Sequence, residues 1–145
     1  MEALSAGLGL GDAALWLNRV AVGAFFGISG FHKLFFPQRH MRLRETLIAD
    51  RVPFVKFNEW FVPAVELLAG AALVLGFFST VAALLLGAIC LVALWVDGLP
   101  SLKKKYAPFL DTADYCDCVL YLPETLYGIM LVVTILAGPG PLRLT

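Results

Sequence analysis

The sequence predicts an all-α membrane protein, a four-transmembrane-helix bundle with a short interfacial segment between helices 1 and 2. Three observations carry this expectation. Of 145 residues, 60% are hydrophobic and 15% charged, with a mean hydropathy of +0.83, whereas soluble domains run about 45–50% apolar and about 25% charged. Apolar runs recur at the length that crosses a hydrocarbon core of roughly 30 Å, about 20 residues per helix. Nine of the eleven Lys and Arg residues fall on one side of the implied membrane. The net charge is zero, so no field attracts nucleic acid and no nucleic-acid partner is expected.

The first run, 13–36, is long enough to span. The stretch before it, "MEALSAGLGLGD", has no basic n-region, so the run is expected to be a retained span and not a cleaved signal peptide. Trp60–Val96 is apolar almost throughout and too long for one helix. Gly76-Phe77-Phe78-Ser79-Thr80 is expected to fold it into a tight hairpin of two spans, 60–78 and 79–96. The last span, 118–137, ends at Gly138-Pro139-Gly140-Pro141, where a helix cannot continue. One domain, 1–145, holds all four. Between the first two spans, "PQRHMRLRETLIADRVPF" sets Met41, Leu43, Leu47, Ile48 and Val52 among basic residues. It reads as a helix lying at the interface, apolar side in lipid and arginines toward headgroups; an ordinary solvated loop is the alternative.

Four spans put both termini on the side of the central hairpin. Lys33, Arg39, Arg42, Arg44, Arg51, Lys56, Lys103, Lys104 and Lys105 fall on the other side, leaving only Arg19 and Arg143 with the termini. The positive-inside rule then places the long loops in the cytoplasm and both termini outside.

At 100° per residue, Arg19, Gly23, Phe26, Gly30 and Lys33 share a stripe of about 80° on helix 1, bordered by Gly27. The glycines let a second helix approach closely. The charged residues lie on that same face, with Arg19 toward the outer side. Lys33 has an alternative in snorkelling to the headgroups. Counting depth along the helices brings His32, Lys33, Glu66, Asp97 and Glu124 to one inner layer within about 10 Å. Ionisable groups within a membrane are costly, and they are paired or functional. The layer is therefore either a set of structural ion pairs, Glu66–Lys33 above all, or a site for a proton, a quinone head group or a small polar ligand. A histidine beside acids exchanges protons near neutral pH.

Cys116 and Cys118 form a C-x-C pair before the last span, a weak candidate for a soft metal or a disulfide. Plain thiols are the simpler reading, and Cys90, mid-helix, reads as packing. No Gly-rich phosphate loop, nucleophile triad or zinc motif occurs.

These features together resemble the DoxX family of small four-helix membrane proteins. The resemblance rests on Arg19, Gly23, Phe26, Gly30 and Lys33, on "LIADRVPF", on "ELLAGAALVLGFFSTVAALLL" (Glu66–Leu86), and on Glu124 followed by "AGPGPL". It covers most of 15–142 and departs over Leu99–Val119 and at the terminal Arg143-Leu144-Thr145. It implies a four-helix bundle in a bacterial cytoplasmic membrane with a link to redox metabolism, since some members are described as subunits of thiosulfate:quinone oxidoreductase. The expected role is a non-catalytic subunit of a larger membrane redox assembly, embedded in the bilayer beside other membrane subunits and contacting quinone. A stand-alone quinone-linked oxidoreductase, or a small-molecule or ion carrier using the inner layer, is the alternative.

Overall fold

The structure, a computed structural model, describes residues 10–106, 118–138 and 140. Among the described residues it is all-helical. Helix α1 is Gly11–Phe35, α2 is Pro37–Ala49, and α3 is Val55–Leu75. Helix α4, Ser79–Ala93, runs through a π-helical turn, Leu94–Gly98, into α5, Leu99–Tyr106. Helix α6 is Pro123–Ala137. Three helices are long and apolar enough to cross a membrane: α1, α3 and the continuous helix from Ser79. Helix α6 is apolar but has 15 residues, a rise of about 22 Å.

Several boundaries differ from those the sequence suggests, and each has a local cause. Helix α3 begins at Val55, not 60, because the polar residues Lys56, Asn58 and Glu59 continue it beyond its apolar part. Glu59 is buried there and meets Arg44 of α2, Nε to Oε2 3.5 Å. Helix α6 begins at Pro123, not 118. Proline is pre-set for a first helical position and breaks an interior one, so 118–120 are helical but Tyr121 and Leu122 separate them from α6. The third span does not stop at 96. Pro100 has no N–H to give the Val96 carbonyl, and the wider π turn falls immediately before it.

The hairpin between α3 and α4 is closed by Gly76 at φ 76°, a left-handed residue that only glycine adopts without strain. Gly76 N–H donates to Leu73 O and Phe77 N–H to Ala72 O, which satisfies carbonyls that a helix end leaves open. The segment between Pro37 and Pro53 is a helix, α2, with none of its residues buried.

Helices α1 and α4 each pack on both α3 and α6, so the four form a closed ring, with the α1–α3 contact the most extensive. The glycines explain that contact. A Cβ on Gly23 would lie 2.8 Å from Gly70 O, and one on Gly30 would lie 2.5 Å from Pro63 O. Gly27 is different, since a Cβ there would come no closer than 3.9 Å to α3, although Gly70 itself rests on the Gly27 backbone. Toward the hairpin end the ring is filled by Val22, Phe26, Leu73, Ala83, Leu86 and Leu131, with Cys90 at the edge of the same core. Asn18 Nδ2 crosses from α1 to α6, donating to Met130 O at 3.0 Å and Thr134 Oγ1 at 3.1 Å.

Candidate functional site

At the end opposite the hairpin the ring is not filled. A cavity of about 840 Å³ lies between α1, α2, α3 and the end of α4. Its walls are mostly apolar, with Phe25 and Ile28 of α1, Phe61 and Val62 of α3, and Ile89 and Val92 of α4. Helix spacing sets this up. Phe25, Ile28 and Ser29 recur at three to four residues on α1, and Ile89, Val92 and Val96 do the same on α4, so each helix turns one face to the cavity.

His32, Lys33, Glu66, Asp97 and Glu124 all line this cavity. Lys33 does not snorkel away. Its Nζ donates to both carboxylate oxygens of Glu66, at 2.9 and 2.8 Å, with side-chain exposures of 28% and 5%. Glu66 sits deep in α3, where an unpaired carboxylate would be costly, and the bidentate ammonium offsets that cost. Asp97 lies in the π turn and accepts from Ser101 Oγ at 2.9 Å. His32 is exposed at the rim, with its ring edge-on to Phe36. Glu124 stands in the first turn of α6, where a negative charge suits the helix dipole. Among the described residues its side chain makes no hydrogen bond or ion pair, so it has capacity to spare.

Other groups at the cavity were not singled out from the sequence. Asp50 closes α2, and Arg39 and Arg42 reach the cavity from α2. Burial, and then the Asp97 carboxylate, push Asp50 above its ordinary value of 3.8. The signal for these three was present in the basic amphipathic segment, but only the fold of α2 back over α1 and α3 turns it into a cavity wall. Tyr127 was also missed. Its ring stacks on Phe25 at 3.8 Å between centroids and holds α6 against α1 beside the cavity.

The remaining sequence candidates lie elsewhere. Arg19 is 2% exposed within α1 and engaged within the protein, well away from the cavity. Cys116 falls outside the described residues, and Cys118 is a half-buried free thiol. Among the described residues no group of three His, Cys, Asp or Glu side chains is placed to hold a metal. What the cavity can do chemically follows from its composition. It is large enough for a drug-sized molecule, its walls are mostly apolar, and an amine, an imidazole and several carboxylates line it.

The comparisons agree with the membrane architecture. The family model for DoxX matches residues 14–97, from α1 through the π turn. The match stops at Asp97, so Glu124 and the Gly-Pro ending lie outside it. No curated protein and no solved structure matches the chain. With three helices of membrane-crossing length and a family match over more than half of its residues, the chain is an integral membrane protein and belongs to the DoxX family.

Proposed function

We propose that this protein is a four-span membrane subunit of a redox assembly and that its inner cavity receives the head group of a quinone. The observation that supports this reading is the cavity between the helices, apolar in its walls and lined by Lys33–Glu66, His32, Asp97 and Glu124. A quinone ring has two carbonyl acceptors and an apolar tail, which match the donors Lys33 and His32 and the apolar flanks. Reduction to the quinol takes two electrons and two protons. In this reading a partner subunit delivers the electrons, and His32, Glu124 and Asp97 relay the protons. Helix α6 is the fourth span, shortened at its inner end by Pro123, and both termini face the outside of a bacterial cytoplasmic membrane. The family's association with quinone-linked oxidoreductases supports this role, and the nine-to-two distribution of Lys and Arg supports the orientation.

The test uses the full chain in lipid nanodiscs, titrated with a short-tailed ubiquinone and followed by tryptophan quenching. Saturable binding is expected, weakened about tenfold in Glu124→Gln and His32→Ala together, on the usual worth of two polar contacts. Native mass spectrometry of the protein taken from its own membrane in mild detergent is expected to show a partner of fixed stoichiometry. Quinone turnover by the isolated chain would favour the stand-alone enzyme, and uptake into liposomes would favour the carrier. Absence of saturable quinone binding would remove the reading.

A further inference from the structure

Helix α2 carries Arg39, Arg42 and Arg44, and they are not equivalent. Arg44 meets the buried carboxylate of Glu59. Arg39 and Arg42 line the cavity, yet among the described residues neither has an ion pair or a side-chain hydrogen bond. They are three residues apart on one helix and therefore share a face. Glu66 is held by Lys33, and none of the other cavity acids, Asp50, Asp97 and Glu124, forms an ion pair with Arg39 or Arg42. Two unpaired guanidinium groups thus stand at the rim of an apolar-walled space, at the end of α1 where the chain leaves the span.

We propose that Arg39 and Arg42 bind the phosphate of an anionic membrane phospholipid, with its headgroup at the α2 rim. One acyl chain would run along the apolar wall of Phe25, Ile28 and Val92. Charge and shape both select this occupant. Guanidinium forks match phosphate oxygens in pairs. A zwitterionic lipid brings its own ammonium to the same place and gains less. The apolar wall of the same cavity rewards a phosphate that carries a tail over one that does not. Asn58 also lines the cavity; one of its amide hydrogens goes to Pro53 O at 2.8 Å, which leaves the second for a headgroup oxygen. The headgroup contacts involve Arg39 and Arg42 and not the Lys33–Glu66 pair, so the proposal does not depend on the quinone reading although the acyl chain shares the apolar walls of the same cavity.

The experiment compares retention of phosphatidylglycerol and phosphatidylcholine by the full chain in an equimolar mixture, read by native mass spectrometry. Wild type is expected to hold one phosphatidylglycerol per chain with a preference on the order of tenfold, from two basic side chains at a membrane surface. Arg39→Gln with Arg42→Gln should reduce the preference to near one, while Arg51→Gln with Lys104→Gln, which removes the same net charge elsewhere, should keep it. Unchanged circular dichroism and thermal unfolding would show that the double variant is folded. Displacement of the bound lipid by millimolar inorganic phosphate would mean that the site takes free phosphate and would overturn the lipid assignment. Equal retention of the two lipids by wild type would overturn the proposal outright, whatever the quinone titration shows.

Discussion

At the scale of single residues, the Lys33–Glu66 pair is the contact with the most at stake. Glu66, at 5% exposure, leaves water only because Lys33 satisfies both of its oxygens at 2.8–2.9 Å. Removing the lysine strands the carboxylate in a low-dielectric wall, whereas Lys33 alone still reaches water. Lys33→Met is expected to lower stability by roughly 3 kcal/mol, the cost of breaking a buried pair, and Glu66→Gln by less. The double variant Lys33→Met with Glu66→Leu should cost less than the sum of the two single changes, because no lone charge remains. Denaturant unfolding in micelles measures this, and strict additivity would mean that the pair contributes nothing jointly. Asp50 behaves in the opposite sense. Its carboxyl is raised above 3.8 by burial and by Asp97, so the folded state holds the proton more tightly than the unfolded chain does. Its contribution to stability is fully present below 3.8 and is lost as pH rises through the elevated value. Asp50→Asn should therefore stabilise the protein at neutral pH and converge with wild type in acid. A gain that does not change with pH would point to another cause.

At the scale of elements, the contact between α1 and α3 is set by missing side chains. The nearest atoms to a Cβ at Gly30 are Pro63 O and Leu67 N, at 2.5 and 2.6 Å. Both belong to a backbone that cannot step aside without moving the helix. Gly30→Ala and Gly23→Ala are expected to cost about 1–3 kcal/mol, as overpacking does. Gly27→Ala should be nearly silent, since its Cβ would meet α3 only at 3.9 Å. Equal losses at all three positions would contradict this ranking. Helix α2 belongs to the same scale. It has no buried residue of its own, and the Arg44–Glu59 pair ties it to α3. Its position over the cavity rests on that pair, on the His40 Nδ1 contact with Lys33 O at 3.2 Å, on the His40–Trp60 ring contact and on its short links.

At the scale of the whole molecule, the ring of four helices is filled at one end and hollow at the other. The filled end has small and branched residues that interdigitate, such as Ala82, Ala83 and Leu86 against Leu73 and Val22. The hollow end is walled mostly by apolar side chains with ionisable groups among them, beside the π turn. Orientation in the membrane is the testable property here. In a background with the native cysteines replaced, Ser5→Cys should react with an impermeant thiol reagent added from outside, and Lys104→Cys should not. The reverse pattern would invert the topology and place the cavity outside.

The sequence by itself determined the membrane-crossing helices, the hairpin at Gly76, the close face of α1 at Gly23 and Gly30, and the candidates His32, Lys33, Glu66, Asp97 and Glu124. Each of these is a local matter of apolar run length, of backbone freedom, or of angle and rise along one helix, which periodicity reports directly. Tertiary structure alone decided the rest. Depth counted from apolar boundaries placed the starts of α3 and α6 five residues from where they lie, because Glu59 is stabilised by Arg44 on another helix and Pro123 restarts α6. That Gly27 has room where Gly30 has none depends on the crossing angle with α3. That Asp50, Arg39 and Arg42 face the same cavity as Glu66 depends on how α2 folds back across the bundle. Contacts between helices distant in sequence leave no period in the chain, so only the packed molecule reveals them.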